Sequence, residues 1–165
     1  MNGKYVGSVA PYGYERVKIK RDNGYTLIPY EDEASAAKII FNLYAYEGLG
    51  LNQVTKKANE LGLKPRVMDK WSLNSIKDLL SNPIYAGIIR WNARKSVKKV
   101  KNGEVMLTRP RNDDVILKEG LHTPLIDIKT WEIVQEKRKK NIPPVPHGKI
   151  VRNPLVRNCI LQEMW

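Results

Sequence analysis

The sequence predicts an α+β domain: an N-terminal β-hairpin, a three-helix core of helix-turn-helix-like plan, a small antiparallel sheet with its own hairpin, and a further C-terminal helix. Three observations lead to it. Apolar residues recur at helical spacing in three successive segments between Glu31 and Leu80. Asn-Gly pairs at 23–24 and 102–103 each separate two strand-like runs. A last helical pattern follows Asp127. With 165 residues, 42% of them apolar, the chain suffices for one domain or a domain with an appendage.

Residues 3–14, GKYVGSVAPYGY, mix Gly, Pro and aromatics without a helical period and read as an ordered loop or an arm. YERVKIK (14–20) and YTLIPY (25–30) flank RDNG, a hairpin signal, and Pro29 confines the second strand to an edge or a terminus. The first helix is expected from Glu31. Its acids Glu31, Asp32 and Glu33 suit a positive N-terminus, Ala34, Ala37, Phe41 and Tyr44 form its apolar stripe, and Gly48 stops it. A second helix is expected from about Asn52 as N-cap, with Leu51, Val54, Ala58 and Leu61 aligned and Gly62 as its stop.

The stretch WSLNSIKDLLSNP (71–83) predicts a short third helix. Ser72 is a favoured N-cap, which puts Trp71 where it can staple onto Ile76. Leu73, Ile76, Leu79 and Leu80 form the expected buried face, and Pro83 ends the helix by disfavouring helical geometry at Asn82. Asn74, Ser75, Asp78 and Ser81 then face outward, with Lys77 on the flank. A final helix with small polar groups near its N-terminus suits the major groove, where Asn pairs with adenine and Ser with either base. The nine or so residues between Gly62 and Ser72 exceed the tight turn of a simple helix-turn-helix. Beyond Pro83, IYAGIIRW (84–91) reads as a strand, SVKKVKNGEVML (96–107) as a basic hairpin and VILK (115–118) as a further strand. Asp127 is the expected cap of a helix over 128–140 with Ile128, Trp131 and Val134 on one side. Residues 141–157, with four prolines and no acids, read as a linker.

Charge bounds the function. The 29 basic and 17 acidic residues give +12, which points to a polyanion: nucleic acid or an anionic membrane surface. Residues 1–63 hold 8 basic and 7 acidic side chains, residues 64–102 hold 10 and 2, and residues 137–157 hold 7 and none. Clustering on this scale favours an electrostatic footprint over dispersed solubilising charge. Lys64, Arg66, Lys70, Arg90, Arg94 and Lys95 flank the third helix in sequence and suit phosphates. No apolar run approaches the roughly 18 residues a membrane span needs, and no signal peptide opens the chain. Cys159 is alone, which excludes an internal disulfide and fits a reducing cytoplasm. Of the histidines, His122 and His147 are far apart, so no metal site or cofactor is expected. Asp113-Asp114 reads as a turn, and no serine sits beside an obvious base.

The order GSVAPYGYERV, IPYEDEASAAKIIFNLYAYEGLGLNQVTKKANELGL, WSLNSIKDLLSNPIYAGIIRW and HTPLIDIKTWEIVQEK closely resembles the recombinase domain of the large serine recombinases, phage integrases and related transposases, over roughly residues 3–158. That resemblance implies a DNA-binding domain over 1–140, with an arm over 1–13 that tracks the minor groove while the helix at 72–81 enters the major groove. It implies that 141–165 hold the basic linker and the start of a zinc-ribbon-like region, whose second Cys would fall at Gln162. It also implies that the catalytic serine belongs to a domain absent from this sequence. The expected activity is sequence-specific binding of a duplex attachment half-site by a monomer without strand chemistry. The alternatives are a non-specific nucleic-acid binder and a protein-interaction domain with a basic surface. The candidate DNA-binding residues are Lys4, Tyr5, Tyr12, Arg66, Lys70, Trp71, Ser72, Asn74, Ser75, Lys77, Arg90, Arg94 and Lys95.

Overall fold

Strand β1 (Tyr14–Lys18) pairs antiparallel with β2 (Tyr25–Pro29), with Tyr14 opposite Pro29 and Lys18 opposite Tyr25. Pro29 is the last residue of its strand, where a missing N–H costs no ladder bond. The computed structural model describes residues 3–20, 23–101, 103–110, 112 and 114–141. The expected linker and zinc-ribbon start, with His147, Cys159 and Gln162, lie outside the described residues, as do Asn102 and Asp113.

Helix α1 (Glu31–Ala45) starts on its three acids without a side-chain cap and buries Ala34, Ala37, Ile40, Phe41 and Tyr44. Helix α2 (Leu51–Glu60) begins one residue earlier than its expected cap. Gly50, not Asn52, is the N-cap, and its N–H donates to the Gln53 Oε1 at 2.9 Å. Val54 and Ala58 are fully buried, but Leu61 is 54% exposed, because it falls at the C-cap where the helical stripe has already ended. Helix α3 (Leu73–Leu80) has Ser72 as N-cap, its Oγ accepting the Ser75 N–H at 3.1 Å. Ile76, Leu79 and Leu80 are buried, whereas Leu73, expected with them, is 41% exposed. The apolar stripe of α3 thus runs one turn past the edge of the core.

The strand expected directly after Pro83 starts later. Pro83–Ala86 form a 3₁₀ turn instead, capped by the Asn82 side chain and closed by Gly87 at φ 82°. Proline at the first position of such a turn is favoured by its fixed φ, and the turn buries Ile84 and Tyr85 together. Only then comes β3 (Ile88–Trp91), paired antiparallel with β6 (Ile116–Glu119). Between them β4 (Val97–Lys101) and β5 (Glu104–Thr108) make a separate hairpin, so the expected single sheet is divided into two-stranded ribbons. Helix α4 (Ile128–Lys140) closes the domain. Asp127 is its N-cap residue but makes no side-chain cap bond, and Ile128 is 59% exposed, while Val134 is fully buried.

One core joins β1, β2, the four α-helices and the 3₁₀ turn, running from Tyr14 and Leu27 through Ala37, Phe41, Val54, Trp71, Ile76 and Leu80 to Tyr85 and Val134. Phe41 packs on Tyr85 with ring centroids 5.3 Å apart, and Tyr14 lies 6.0 Å from Tyr85. Buried His122 meets the Ile84 carbonyl at 2.7 Å through Nε2 and presents an edge contact to Tyr14. Helix α4 completes two other helices. Gln135 donates to the Leu80 carbonyl at 2.9 Å, and Lys137 donates to the Tyr44 carbonyl at 2.7 Å, occupying orphan acceptors at the C-termini of α3 and α1.

Trp71 is 6% exposed and belongs to this core. Its backbone N–H donates to Asn59 Oδ1 at 2.7 Å and its carbonyl accepts from Asn59 Nδ2 at 3.0 Å, so one α2 side chain brackets the start of α3. The Tyr12 ring stands edge-on at 4.9 Å. Trp71→Ala should therefore cost about 3–5 kcal/mol of stability, the range for emptying a large aromatic site. Urea unfolding followed by far-UV circular dichroism measures this, and a loss below about 1 kcal/mol would mean the site collapses without consequence.

Candidate nucleic-acid interface

The first two turns of α3 present Ser72, Leu73, Asn74, Lys77 and Asp78 to solvent. Asn74 has no intramolecular partner among the described residues and stands outward as expected. Ser75 does not. It is half-buried, and its Oγ lies 2.8 Å from the Ser72 Oγ, so the two hydroxyls that were expected at the surface bond to each other. Leu73 joins the outer face in its place. Nothing in its spacing marks this position, because the helical period continues through it.

Trp71 is corrected from a surface candidate to a core residue, since its ring is enclosed and only its position fixes α3. Arg66 is corrected as well. Its Nε donates to Glu33 Oε1 at 2.9 Å, and Nη2 pairs with Glu33 Oε2. Nη1 donates to the Ala10 carbonyl at 2.8 Å, and Nη2 also reaches the carbonyls of Tyr14 at 3.0 Å and Pro11 at 3.3 Å. Glu33 accepts a further bond from the Gly13 N–H at 2.9 Å. The guanidinium is thus consumed within the fold rather than offered to a phosphate. Burial pulls the Glu33 carboxyl upward, but the bonds from Arg66 and Gly13 and the guanidinium charge outweigh it and hold the group below its ordinary range. The same pairing raises Arg66 further above its ordinary value.

Tyr12 is likewise tied inward. Its hydroxyl donates to the Lys64 carbonyl at 2.8 Å and its own carbonyl accepts from the Tyr85 hydroxyl at 2.8 Å. Burial, aided by the Glu33 charge, pushes its phenol up to about 12, so it remains a neutral donor. The segment expected as an arm lies on the body. The Tyr5 N–H donates to the Tyr25 carbonyl at 2.7 Å, adding a bridge to the edge of β2, and the Gly3 carbonyl accepts from the Leu121 N–H at 3.0 Å. Lys4 runs beside Gly24, in reach of where a side chain there would begin.

The remaining cations are exposed. Lys70 precedes Trp71, Lys77 flanks α3, Arg90 stands on β3 and Arg94 follows it, none with a carboxylate partner among the described residues. Lys95 differs, with Asp114 at 3.6 Å, though both side chains are open to solvent and the pair is weak. Arg90 and Trp91 share a groove of about 310 Å³ with Asn82, just past α3, and with Tyr5, Val6 and Gly7. The fold therefore brings the end of α3, one strand arginine and the N-terminal segment to one surface. Arg94 and Lys95 lie outside that groove. Among the described residues no group of three or more His, Cys, Asp or Glu could hold a metal ion, and no helix is long and apolar enough to cross a membrane.

An outward first turn of α3 beside exposed cations, carried on three helices and flanking β-ribbons, defines an α+β domain of helix-turn-helix-like plan. The family model described as Recombinase matches residues 31–141, more than half of the chain. The chain belongs to that family, the recombinase domain of the large serine recombinases. Two solved structures share the fold. One, described as the crystal structure of an LSR-DNA complex, matches 82% of this chain at 19% identity and a TM-score of 0.55. Another, from work on the sequence requirements of the Listeria innocua prophage attP site, matches 81% at 19% identity and a TM-score of 0.52. This chain spans 34% and 44% of those two chains respectively.

The Glu33 carboxyl yields a pH prediction. Its value in the folded chain lies below the ordinary one, so its stabilisation is complete above that ordinary value and is lost as pH falls through the folded value. Glu33→Gln should be less stable than wild type near neutrality and should lose less stability between about pH 5 and about pH 2. Urea midpoints across that window test it, and parallel curves for the two proteins would show that the pair carries no pH dependence.

Proposed function

We propose that this domain recognises a specific double-stranded DNA sequence, an attachment half-site of a site-specific serine recombinase, and that it performs no strand chemistry itself. One observation carries the reading. The outward turn of α3 offers a short neutral amide, Asn74, with Lys70 and Lys77 close to it in the chain and Arg90 beside Asn82 past the far end of the helix, and these exposed cations keep their charges for an outside partner. With α3 in the major groove, the Asn74 amide can donate to and accept from one adenine edge, and Leu73 can meet a thymine methyl. The flanking cations take phosphates, which set register without carrying sequence information. The N-terminal segment, held beside the hairpin, follows the neighbouring minor groove. That the related structures include an LSR-DNA complex supports duplex DNA as the partner.

On this reading strand cleavage lies outside these residues. The hydroxyls of Ser72 and Ser75 bond to each other and that of Ser81 to the Asp78 carbonyl, and among the described residues no serine bonds to a histidine or carboxylate side chain. Incubated with its selected duplex, the chain is expected to leave both strands intact. A covalent protein–DNA adduct on a denaturing gel would overturn this part.

The central test is selection of binding sites from random duplexes by wild type and by Asn74→Ala. The variant should lose roughly 1–3 kcal/mol of discrimination at one base pair while its affinity for random duplex stays nearly constant. Charge reversal at Lys70 or Arg90 should instead weaken all duplexes alike and reduce the salt slope by about 0.9 per lost phosphate contact. Identical selected sequences from wild type and a normally folded Asn74→Ala would remove Asn74 as a reader. Equal affinity for random duplex and selected site would leave only non-specific binding.

A further inference from the structure

We infer that the N-terminal hairpin carries a second phosphate-binding groove, which grips the DNA backbone on the far side of the N-terminal segment from Arg90. It rests on the DNA-binding reading above and extends it to residues that charge counting passes over, because residues 1–63 are nearly neutral as a block. The groove encloses about 520 Å³ between that segment and the hairpin. Lys4, Arg16 and Lys18 line it, and no carboxylate does among the described residues. Arg16 and Lys18 are two residues apart on β1 and so share one face, while Glu15 points to the other.

The groove is also organised. The Arg16 guanidinium lies 4.2 Å from the centre of the Tyr25 ring and its Nη1 donates to the Gly7 carbonyl at 3.2 Å. Ring stacking and one bond fix its plane while leaving further N–H donors for an acceptor from outside, the arrangement that suits a phosphate oxygen. Gly7 makes room for this. A Cβ there would fall 2.1 Å from the Tyr5 hydroxyl, which crosses the turn to donate to the Val9 carbonyl. A side chain at position 7 would therefore displace the floor of the groove.

Direction comes from continuity. Tyr5, Val6 and Gly7 line this groove on one side and the groove of Arg90 and Asn82 on the other. Cations on both flanks of one narrow segment form a track across the surface that α3 adjoins. A phosphodiester backbone supplies regularly spaced anions along such a track, which a single small anion does not.

The test uses the full chain and the duplex that wild type selects. Arg16→Gln combined with Lys18→Gln should make the log–log salt slope shallower by about 1.8, two contacts at about 0.9 each. Between about 50 and 200 mM salt, wild type should then lose about tenfold more affinity than the variant. The selected base sequence should not change, and ethylation interference should disappear at phosphates on one flank only. Lys18→Gln alone leaves the Arg16 stack in place and should give about half the slope change, which guards against a folding defect in the double variant. Unchanged slope and interference in both variants, with normal melting, would overturn the groove. So would a loss of binding to an RNA hairpin with DNA binding intact. If wild type itself selects no sequence, the proposed function fails. If selection survives while the slope stays put, only this inference does.

Discussion

The Arg66–Glu33 pair is the constraint on which the arrangement of this domain depends. Arg66 comes from the loop between α2 and α3, Glu33 from the first turn of α1, and the carbonyls that Arg66 gathers from residues 10, 11 and 14. Three separate pieces of chain meet at one guanidinium. A partly exposed ion pair contributes little by its charges alone. Here, however, the same groups also satisfy backbone carbonyls and the Gly13 N–H, which removal of either partner would strand. The long connection before α3 gains a physical reason from this. A tight turn would join α2 to α3, but it could not carry Arg66 across to the N-terminal segment or place the Lys64 carbonyl on the Tyr12 hydroxyl.

From that anchor the position of α3 follows. Tyr12, held by its neighbours, stands edge-on to Trp71, and Asn59 brackets the Trp71 backbone from α2. The far end of α3 is met by Gln135 of α4. Helix α3 is thus fixed at its start by aromatic packing and at its end by a capping amide. That leaves its outer turn free to carry residues chosen for contact. A reading side chain must be held to well under an ångström or so to discriminate bases, and rigid elements meet that demand better than loops.

Local chemistry explains what was legible in the sequence. The two hairpins around the Asn-Gly pairs, the acid start of α1 and the Ser72 cap rest on chemistry within a few residues, and each stands where its pattern places it. The 3₁₀ turn at Pro83–Ala86 was hidden because a short apolar run after a proline fits a strand equally well. Leu61, Leu73 and Ile128 keep the helical period yet lie at helix ends, where the core no longer covers them. Arg66, Tyr12 and Trp71 were misplaced for a different reason. Their partners are distant in sequence, 52 residues away for Tyr12 and Lys64, and spacing alone cannot show a contact of that range.

The same distinction changes what the net charge of +12 means. Arg66 is committed to Glu33 and Lys137 to the end of α1, so part of the basic excess serves the fold. What remains is smaller but better placed. In a strand, alternate residues fall on opposite faces, so Arg16 and Lys18 can concentrate charge where the surrounding sequence averages to near neutrality. Block counting sees the basic run from Lys64 onward and overlooks the hairpin. The folded surface reverses part of that ranking, since a cation counts toward a polyanion only through the protons that the carboxylates and carbonyls of its own chain leave free.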